Sequence, residues 1–360
     1  MSEAMEHAGV VAPESASAAP AEEAAGARKP ILSIRNLCKD FKLRGDGLFD
    51  KPKVLHALSD VSLDVYEGET LGIIGESGCG KSTLGRCVVQ LHRATSGRIL
   101  YDGQDITGLK GAELKAMRKN IQMVFQDSYS SLDPRFTALR AIEEPLRIYG
   151  LAKDAKERER IAFGLMKEVG LDVQHMERYP HEFSGGQRQR INVARALVLD
   201  PKIIVCDEPV SALDVSIQAQ VLNLFRRLQR DRGLTYIFIS HDLSVIKHIS
   251  DRIAIMYLGR VVELCPAHQV YENPLHPYTQ ALLSAVPPES PFQKTDEIKL
   301  KGEIASPVGE QMGCPLAGRC PFAEERCRTE RPALAEVEPG HQVACFRYHD
   351  VVAHRGATEE

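Results

Sequence analysis

Hydrophobic residues along this chain follow two patterns, alternation with polar residues and short unbroken runs. Residues 31–35 and 58–65 alternate, which predicts strands with one buried face. Four short runs are almost wholly apolar, and they predict strands buried on both faces. These runs occupy residues 71–75, 203–206, 236–240 and 252–257.

Helical periodicity fills much of the chain between the apolar runs, including residues 112–173 and 218–230. Strands that alternate with helices predict an α/β fold, in which helices cover both faces of a largely parallel sheet. Residues 40–54 are rich in Gly, Lys and Asp, which predicts a loop or a hairpin tip.

Composition changes at both ends of the chain. The first 29 residues are rich in Ala and Glu and contain no aromatic residue, which predicts a disordered tail. From about residue 286, Pro, Gly, Cys and charged residues dominate, which predicts a small module over 286–350 and a tail over 351–360. A length of 360 residues is typical of two to three domains.

Charge and hydropathy argue against several classes of protein. The chain has 45 basic and 49 acidic residues, whereas a general nucleic-acid binder is usually strongly basic. It has no long apolar run, and its N-terminus carries Glu3 and Glu6. We therefore predict neither a membrane span nor a secretory signal. A reducing cytoplasm follows from this, where the 9 cysteines are thiols or metal ligands.

A glycine-rich segment follows the first apolar run and precedes a predicted helix. Glycines let backbone N–H groups turn toward phosphate oxygens, and a helix N-terminus carries a partial positive charge. Lys81 supplies a cation for the β- and γ-phosphates, and Ser82 a hydroxyl for Mg²⁺. The segment predicts a nucleotide site, the alternative being a turn with a solvated lysine. It fits G-x-x-x-x-G-K-[ST] and comprises Gly75, Glu76, Ser77, Gly78, Cys79, Gly80, Lys81 and Ser82, followed by Thr83.

Two acidic residues, Asp207 and Glu208, end the second apolar run. A carboxylate at the end of a buried strand can hold Mg²⁺, which is the role predicted for Asp207. The neighbouring Glu208 can act as general base toward the attacking water. A plain acidic turn is the alternative interpretation.

A second glycine-containing helix start lies ahead of the helical pattern at 189–199. One nucleotide does not need two such sites, unless the second serves a nucleotide on another subunit. Here the chain resembles the ATP-binding cassette family, because residues 183–187 are similar to its signature motif, with Phe183 where Leu is commoner. The resemblance extends over about residues 31–283. The motif consists of Ser184, Gly185, Gly186 and Gln187.

Further motifs follow in the order typical of that family. Gln126 resembles the Q-loop glutamine, which contacts Mg²⁺ and couples to the membrane partner. Ser211 and Asp214 resemble the D-loop, and His241 resembles the switch histidine that touches the γ-phosphate. With Lys81 and Glu208, the resemblance implies Gln126 and His241 as catalytic residues.

The resemblance also implies a fold and an adenine contact. It implies a P-loop NTPase (RecA-like) parallel-sheet core with an antiparallel β subdomain and a helical signature subdomain at about 125–195. These belong to a nucleotide-binding domain over 30–285, followed by a small Cys-rich C-terminal extension. ATP and Mg²⁺ are the implied ligands. Phe41 lies where the family has an aromatic that stacks on adenine, and Phe49 is a competing candidate.

Two cassettes of this family close head to tail over two ATP molecules, so that Ser184 and Gly186 of one face the phosphate loop of the other. The implied partners are a second cassette ATPase, two transmembrane permease subunits and an extracytoplasmic substrate-binding protein. A heterodimer is favoured over a homodimer. The implied location is the cytoplasmic face of the cell membrane, as a peripheral subunit, with no nucleic acid bound.

Two segments resemble one subfamily of these ATPases in particular. Residues 122–135 resemble the extended Q-loop of the oligopeptide, dipeptide and nickel importer ATPases, and residues 273–283 resemble their C-terminal segment. Peptide is the implied cargo, with nickel or another small solute as the alternative. A soluble cassette ATPase that acts on nucleic acid or ribosomes is the competing class. Such proteins usually carry two cassettes or a long coiled coil, and this chain has one phosphate loop.

The C-terminal module contains four cysteines spaced C-x5-C-x6-C-x17-C. Surrounding Gly and Pro residues predict a loop-rich fold, in which four thiolates can hold a [4Fe–4S] cluster or Zn²⁺. The spacing resembles the cluster-binding end of some importer ATPases, so a cluster is favoured over zinc and over no metal. His276 and His341 are possible further ligands, but we expect each of them to be a solvated loop histidine. The four cysteines are Cys314, Cys320, Cys327 and Cys345.

Overall fold

The computed structural model describes residues 28–43, 53–285, 300–302, 306–309 and 312–356. Phe49 and nearly all of the predicted N-terminal tail lie outside these residues. The strands are β1 (Pro30–Leu43), β2 (Lys53–Tyr66), β3 (Thr70–Ile74), β4 (Ser96–Tyr101), β5 (Gln104–Asp105), β6 (Ile121–Val124), β7 (Ile203–Asp207), β8 (Thr235–Ile239), β9 (Arg252–Tyr257), β10 (Arg260–Pro266), β11 (Ala335–Glu338) and β12 (His341–Val343).

The described helices follow in chain order. They are α1 (Lys81–Val88), α2 (Gly111–Asn120), α3 (Ala138–Tyr149), α4 (Ala155–Glu168), α5 (Gly185–Leu197), α6 (Val215–Arg232), α7 (Leu243–Ile249), α8 (Ala267–Glu272), α9 (Pro277–Ser284), α10 (Glu325–Thr329) and α11 (Tyr348–Gly356). Helix α11 crosses the boundary that we predicted at residue 350.

The six strands predicted from hydrophobic pattern are confirmed as β1, β2, β3, β7, β8 and β9. The pattern missed six others. Residues 112–173, predicted as mostly helical, contain strand β6 between α2 and α3. Strand β6 has 4 residues, which is too short to establish a period.

The larger sheet has eight strands in the order β11-β12-β10-β9-β3-β8-β7-β6. The five strands from β9 to β6 are parallel, and the other three are antiparallel. Successive residues of a central strand face different cores, since Ile203 and Val205 lie in one and Ile204 and Cys206 in the other. Burial on both faces explains the unbroken apolar runs.

A smaller antiparallel sheet, in the order β2-β1-β4-β5, covers one side of the larger sheet. Its Leu32 and Val61 share a core with Leu84 of α1 and Ile73 of β3. Residues of α3, α4, α5 and α6 pack in the core on the opposite face. The molecule therefore has three layers, with the large sheet in the middle. No helix in the described part of the chain is long and apolar enough to cross a membrane.

The C-terminal extension joins the larger sheet rather than lying beside it. Strand β12 pairs with β10, and this pairing buries His341 completely against Glu263, whose Oε1 lies 2.7 Å from the His341 Nε2. His276 is 1% exposed and its Nδ1 accepts the Tyr278 N–H at 3.1 Å. The expectation of two solvated histidines is therefore wrong, because strand pairing and the turn before α9 bury both rings.

Candidate nucleotide-binding site

The chain segments that follow four parallel strands meet at one edge of the large sheet, because parallel strands end on the same side. The phosphate loop follows β3, Gln126 follows β6, Glu208 follows β7 and His241 follows β8. Together with the smaller sheet they enclose a cavity of about 520 Å³. This size fits a nucleotide. The lining residues are Phe41, Leu55, Ala57, Ser77, Gly78, Gly80, Lys81, Ser82, Thr83, Gln126, Glu208, His241 and Pro307.

The phosphate loop leads directly into the N-terminus of α1. Gly80 caps this helix with a φ of 103°, and a Cβ there would lie 2.4 Å from the Ala57 carbonyl oxygen, so no other residue fits without movement. Lys81 is the first helical residue, and its ammonium donates to the carbonyl oxygens of Gly75 at 2.6 Å and Glu76 at 3.0 Å. The loop therefore presents a helix N-terminus and a buried cation to the cavity.

Ser82 and Asp207 form the oxygen-rich part of the site. The Ser82 hydroxyl donates to Asp207 Oδ1 at 2.7 Å. The Oδ2 atom is buried and has no hydrogen-bond partner among the described residues, while Arg86 Nη2 lies 4.0 Å away. Burial raises the pKa of Asp207, and the Ser82 hydrogen bond and Arg86 partly oppose this. One hydroxyl and one under-coordinated carboxylate are the oxygen donors that Mg²⁺ prefers, so these residues fit that ion.

Glu208 lies between two polar side chains that the sequence places far away. Its Oε2 accepts a hydrogen bond from Gln126 Nε2 at 2.9 Å and lies 3.1 Å from His241 Nδ1. The Glu208 backbone has a φ of 47°, a left-handed conformation that costs energy in a non-glycine residue. The fold thus assembles the predicted base, glutamine and histidine in one cluster facing the cavity.

Phe41 lines the same cavity, as predicted for an adenine contact. Its ring meets His92 edge to face, with centroids 5.5 Å apart, and Lys39 Nζ lies 4.8 Å from the ring centroid. The stacking role of Phe41 stays a prediction.

Two phosphate-loop side chains point away from the cavity. Cys79 is 4% exposed, and burial raises the pKa of its thiol. The Glu76 carboxylate Oε2 lies 3.4 Å from Arg319 of the C-terminal extension. Neither side chain lines the cavity, so any contact of these residues with a nucleotide there involves the backbone.

The signature residues do not line the cavity of their own chain. Ser184 caps α5, where its hydroxyl accepts the Gln187 N–H at 3.3 Å and the Gln187 Oε1 accepts the Ser184 N–H at 3.0 Å. Gly186 packs on Ile217, since a Cβ there would lie 2.5 Å from the isoleucine methyl group. The motif is a capped helix start in which Ser184 is exposed, Gly185 and Gln187 are half-buried and Gly186 is buried.

The D-loop residues stand next to the catalytic strand. The Ser211 hydroxyl donates to the Glu208 carbonyl oxygen at 3.1 Å. Asp214 precedes α6 and is exposed, and the adjacent Val215 is 82% exposed.

Sequence reasoning missed some residues of the site. Arg86 follows Ser82 by one helical turn, so helical spacing alone would have placed it on the same face. Leu55, Ala57 and Pro307 gave no such signal, because only the packing of β2 and the extension brings them to the cavity.

The four predicted metal-binding cysteines line one enclosed space of about 20 Å³, together with His276. Burial raises the pKa of Cys320 to about 11 and that of Cys345 to about 12.

Comparison with known proteins agrees with the geometry. Residues 58–211 match the family model described as ABC transporter, and residues 262–327 match the oligopeptide/dipeptide transporter C-terminal region. The oligopeptide transport ATP-binding protein AppF of Bacillus subtilis is 51% identical over 326 residues, covering 89% of this chain and 98% of the relative. OppF of Escherichia coli is also 51% identical, covering 89% and 97%.

Solved structures agree on the fold. The ATP-binding cassette MJ0796, in a dimeric post-hydrolysis state with ADP and phosphate, is 31% identical with a TM-score of 0.58, covering 66% of this chain and 98% of that one. The structure of cbiO1 from Clostridium perfringens, part of the transporter complex cbiONQ, is 25% identical with a TM-score of 0.56, covering 68% and 91%.

A P-loop ATPase of mixed α/β fold is the class that these features define. The chain belongs to the ATP-binding cassette transporter family, in the branch that carries the oligopeptide/dipeptide transporter C-terminal region. Its enzymatic activity is ATP hydrolysis coupled to transport.

Proposed function

We propose that this chain is the ATPase subunit of a membrane importer that takes up di- or oligopeptides. The observation that carries the proposal is its 51% identity, over 89% of the chain, with relatives named as oligopeptide transport ATP-binding proteins. The match includes the C-terminal region characteristic of oligopeptide and dipeptide transporters. Nickel or another small solute is the competing cargo.

The site supports a division of labour in ATP hydrolysis. Lys81 and the backbone N–H groups before α1 bind the phosphates, and the Phe41 ring contacts adenine. Ser82 and Asp207 hold Mg²⁺, which neutralises phosphate charge when it is bound. Glu208 accepts the proton of the attacking water, and Gln126 and His241 orient its carboxylate within hydrogen-bond reach.

A second cassette completes the site. Ser184 and Gly186 belong to a helix start without a nucleotide cavity of its own, and Val215 beside the D-loop leaves an apolar side chain 82% exposed. Both features fit an interface in which the signature helix faces the ATP of a partner cassette. We favour a related but different chain as that partner.

A groove on the helical side fits a permease. It has a volume of about 380 Å³ and combines exposed apolar side chains with two arginines at its wall. Leu91 is 48% exposed and Ile148 is 56% exposed, and both line this groove, where a contiguous apolar patch is typical of an interaction site. We infer that a short helix from a transmembrane subunit occupies this groove, with the ATPase held peripherally at the cytoplasmic face of the membrane. An extracytoplasmic binding protein delivers the cargo to that complex.

The four-cysteine module holds a [4Fe–4S] cluster in this proposal. The support for this proposal is the spacing of the four cysteines along the chain and the fact that all four side chains line one space. Protein purified without oxygen is then brown and absorbs broadly at roughly 400 nm. Colourless protein with stoichiometric zinc would reverse the choice of metal.

The test of the transport function is a gentle copurification. The full chain is tagged at native expression level, the membranes are solubilised, and bound proteins are identified. Two multi-span proteins and a second cassette ATPase are the expected partners. The reconstituted complex should then hydrolyse ATP faster when its binding protein is loaded with a short peptide. Stimulation by nickel alone would reassign the cargo, and recovery of ribosomes or DNA without membrane proteins would contradict a transporter.

A further inference from the structure

Glu76 of the phosphate loop is contacted from three directions. Its carboxylate Oε2 lies 3.4 Å from Arg319 Nη1, and its backbone N–H donates to the Tyr278 hydroxyl at 2.8 Å. Its carbonyl oxygen accepts a hydrogen bond from the Lys81 ammonium at 3.0 Å. One residue therefore connects the C-terminal extension, helix α9 and the phosphate-binding lysine.

The contact from the extension is held in place by its own surroundings. The Arg319 side chain is 14% exposed, and its Nη1 also donates to the Tyr257 hydroxyl at 3.3 Å. The ring of Tyr257 packs on that of Tyr278, with centroids 4.7 Å apart. A partly buried guanidinium with two fixed acceptors has little freedom to leave.

The backbone of Arg319 belongs to the cysteine-bearing loop. The N–H groups of Arg319 and Cys320 both donate to the Leu316 carbonyl oxygen, at 2.8 and 2.9 Å. Cys314, two residues before Leu316, donates its N–H to the Cys327 carbonyl oxygen at 2.7 Å. The turn that carries the cysteines therefore also determines where the Arg319 side chain can reach.

We propose that Arg319 is a positioning residue of the ATP site, through which the C-terminal extension braces the phosphate loop. By holding the Glu76 carboxylate it fixes the peptide unit whose carbonyl orients Lys81, while Tyr278 fixes the N–H on the other side. The proposal rests on ATP binding at the phosphate loop and is independent of the cargo and of the metal in the cysteine module.

For the variant Glu76→Gln, a purely electrostatic role of Arg319 and a positioning role predict opposite effects on ATP binding. If Arg319 only neutralises Glu76, Glu76→Gln removes a negative charge near the triphosphate and tightens ATP binding. If the pair positions the loop, Glu76→Gln releases the brace and weakens ATP binding. The sign of the change therefore separates the two roles.

The experiment is calorimetric titration of the full-length chain, purified without oxygen, with Mg-ATP. We expect Arg319→Met and Glu76→Gln each to raise the Kd for ATP by about threefold to tenfold with unchanged binding stoichiometry. The double variant should be little worse than either single one, because both remove the same contact. Arg319→Lys should restore part of the affinity.

Arg328→Met is the matched control, since Arg328 is exposed on α10 of the same module. It removes the same charge and should leave the Kd unchanged. Unchanged affinity in folded Arg319→Met, or tighter binding in Glu76→Gln, would overturn the proposal. If Arg319→Met does not fold, Glu76→Gln removes the same ion pair by changing its phosphate-loop partner. The direction of the resulting change in Kd for ATP then tests the proposal. If the variants show these changes in Kd but the wild-type complex does not transport peptide, only the proposed function is contradicted.

Discussion

Replacing Glu208 with Gln separates ATP binding from ATP hydrolysis. The substitution removes one charge and keeps the size of the side chain. The Glu208 Oε2 accepts a hydrogen bond from Gln126, and the amide oxygen of a glutamine can accept the same bond. Because the cavity keeps its lining, we expect the Kd for ATP to change by no more than about twofold.

The substitution should instead lower the rate of ATP hydrolysis. General-base catalysis contributes roughly 10²- to 10⁴-fold, which corresponds to about 2.7 to 5.4 kcal/mol in the barrier. Glu208 is the carboxylate that lines the cavity, whereas Asp207 is 1% exposed and bonded to Ser82. Its buried neighbour cannot replace it, so the loss should approach the upper part of that range.

The assay is steady-state phosphate release at saturating Mg-ATP, with the Kd measured in parallel. Asp231→Asn is the control, because Asp231 is an exposed acid at the end of α6 that pairs with Arg230. It removes one negative charge away from the cavity and should hydrolyse ATP normally. A Glu208→Gln variant that releases phosphate within threefold of the wild-type rate would refute the assignment of Glu208 as base.

Three further outcomes follow from the structure. Lys81→Ala should raise the Kd for ATP at least about tenfold, because the substitution removes the buried ammonium. Equilibrium titration measures this Kd. Unchanged affinity would contradict the phosphate-loop assignment. His341→Ala should destabilise the fold by about 1–3 kcal/mol, because the fully buried Glu263 loses one hydrogen-bond partner while it keeps those from Leu275, His276 and Thr279. Denaturant unfolding measures this loss, and the double variant Glu263→Gln/His341→Gln should lose less. The third concerns pH. Burial raises the pKa of Asp207, so protons compete with Mg²⁺ for its carboxylate at a higher pH than they would at an ordinary aspartate. The Mg²⁺-dependent affinity for ATP should therefore fall earlier as the pH is lowered from about 7. A pH profile that is unchanged in Asp207→Asn would contradict this.

The local chemistry of the site was predictable because each motif is continuous in the sequence. A strand, a Gly-rich turn and a helix must follow one another to form a phosphate loop, and 75–82 has that order. The buried runs predicted the central strands, since burial on both faces leaves no polar position. Strand β6 escaped prediction because its 4 residues are too few to establish a period.

Tertiary structure alone decided which residues meet. Glu208 is 82 residues from Gln126 and 33 from His241, and only the parallel order of β6, β7 and β8 brings their ends together. The same holds for the extension, whose composition predicted an appended small module. Pairing of β12 with β10 makes it part of the large sheet and buries His341.

The sequence by itself determined the family, the nucleotide motifs and the cysteine spacing, because these depend on residues that are neighbours along the chain. The fold decided that Glu76 turns away from the nucleotide cavity toward Arg319, 243 residues later. Local spacing carries no information about such a contact. It forms because the sheet edge and helix α9 place the cysteine-bearing loop beside the phosphate loop, where two opposite charges can pair with little exposure to water.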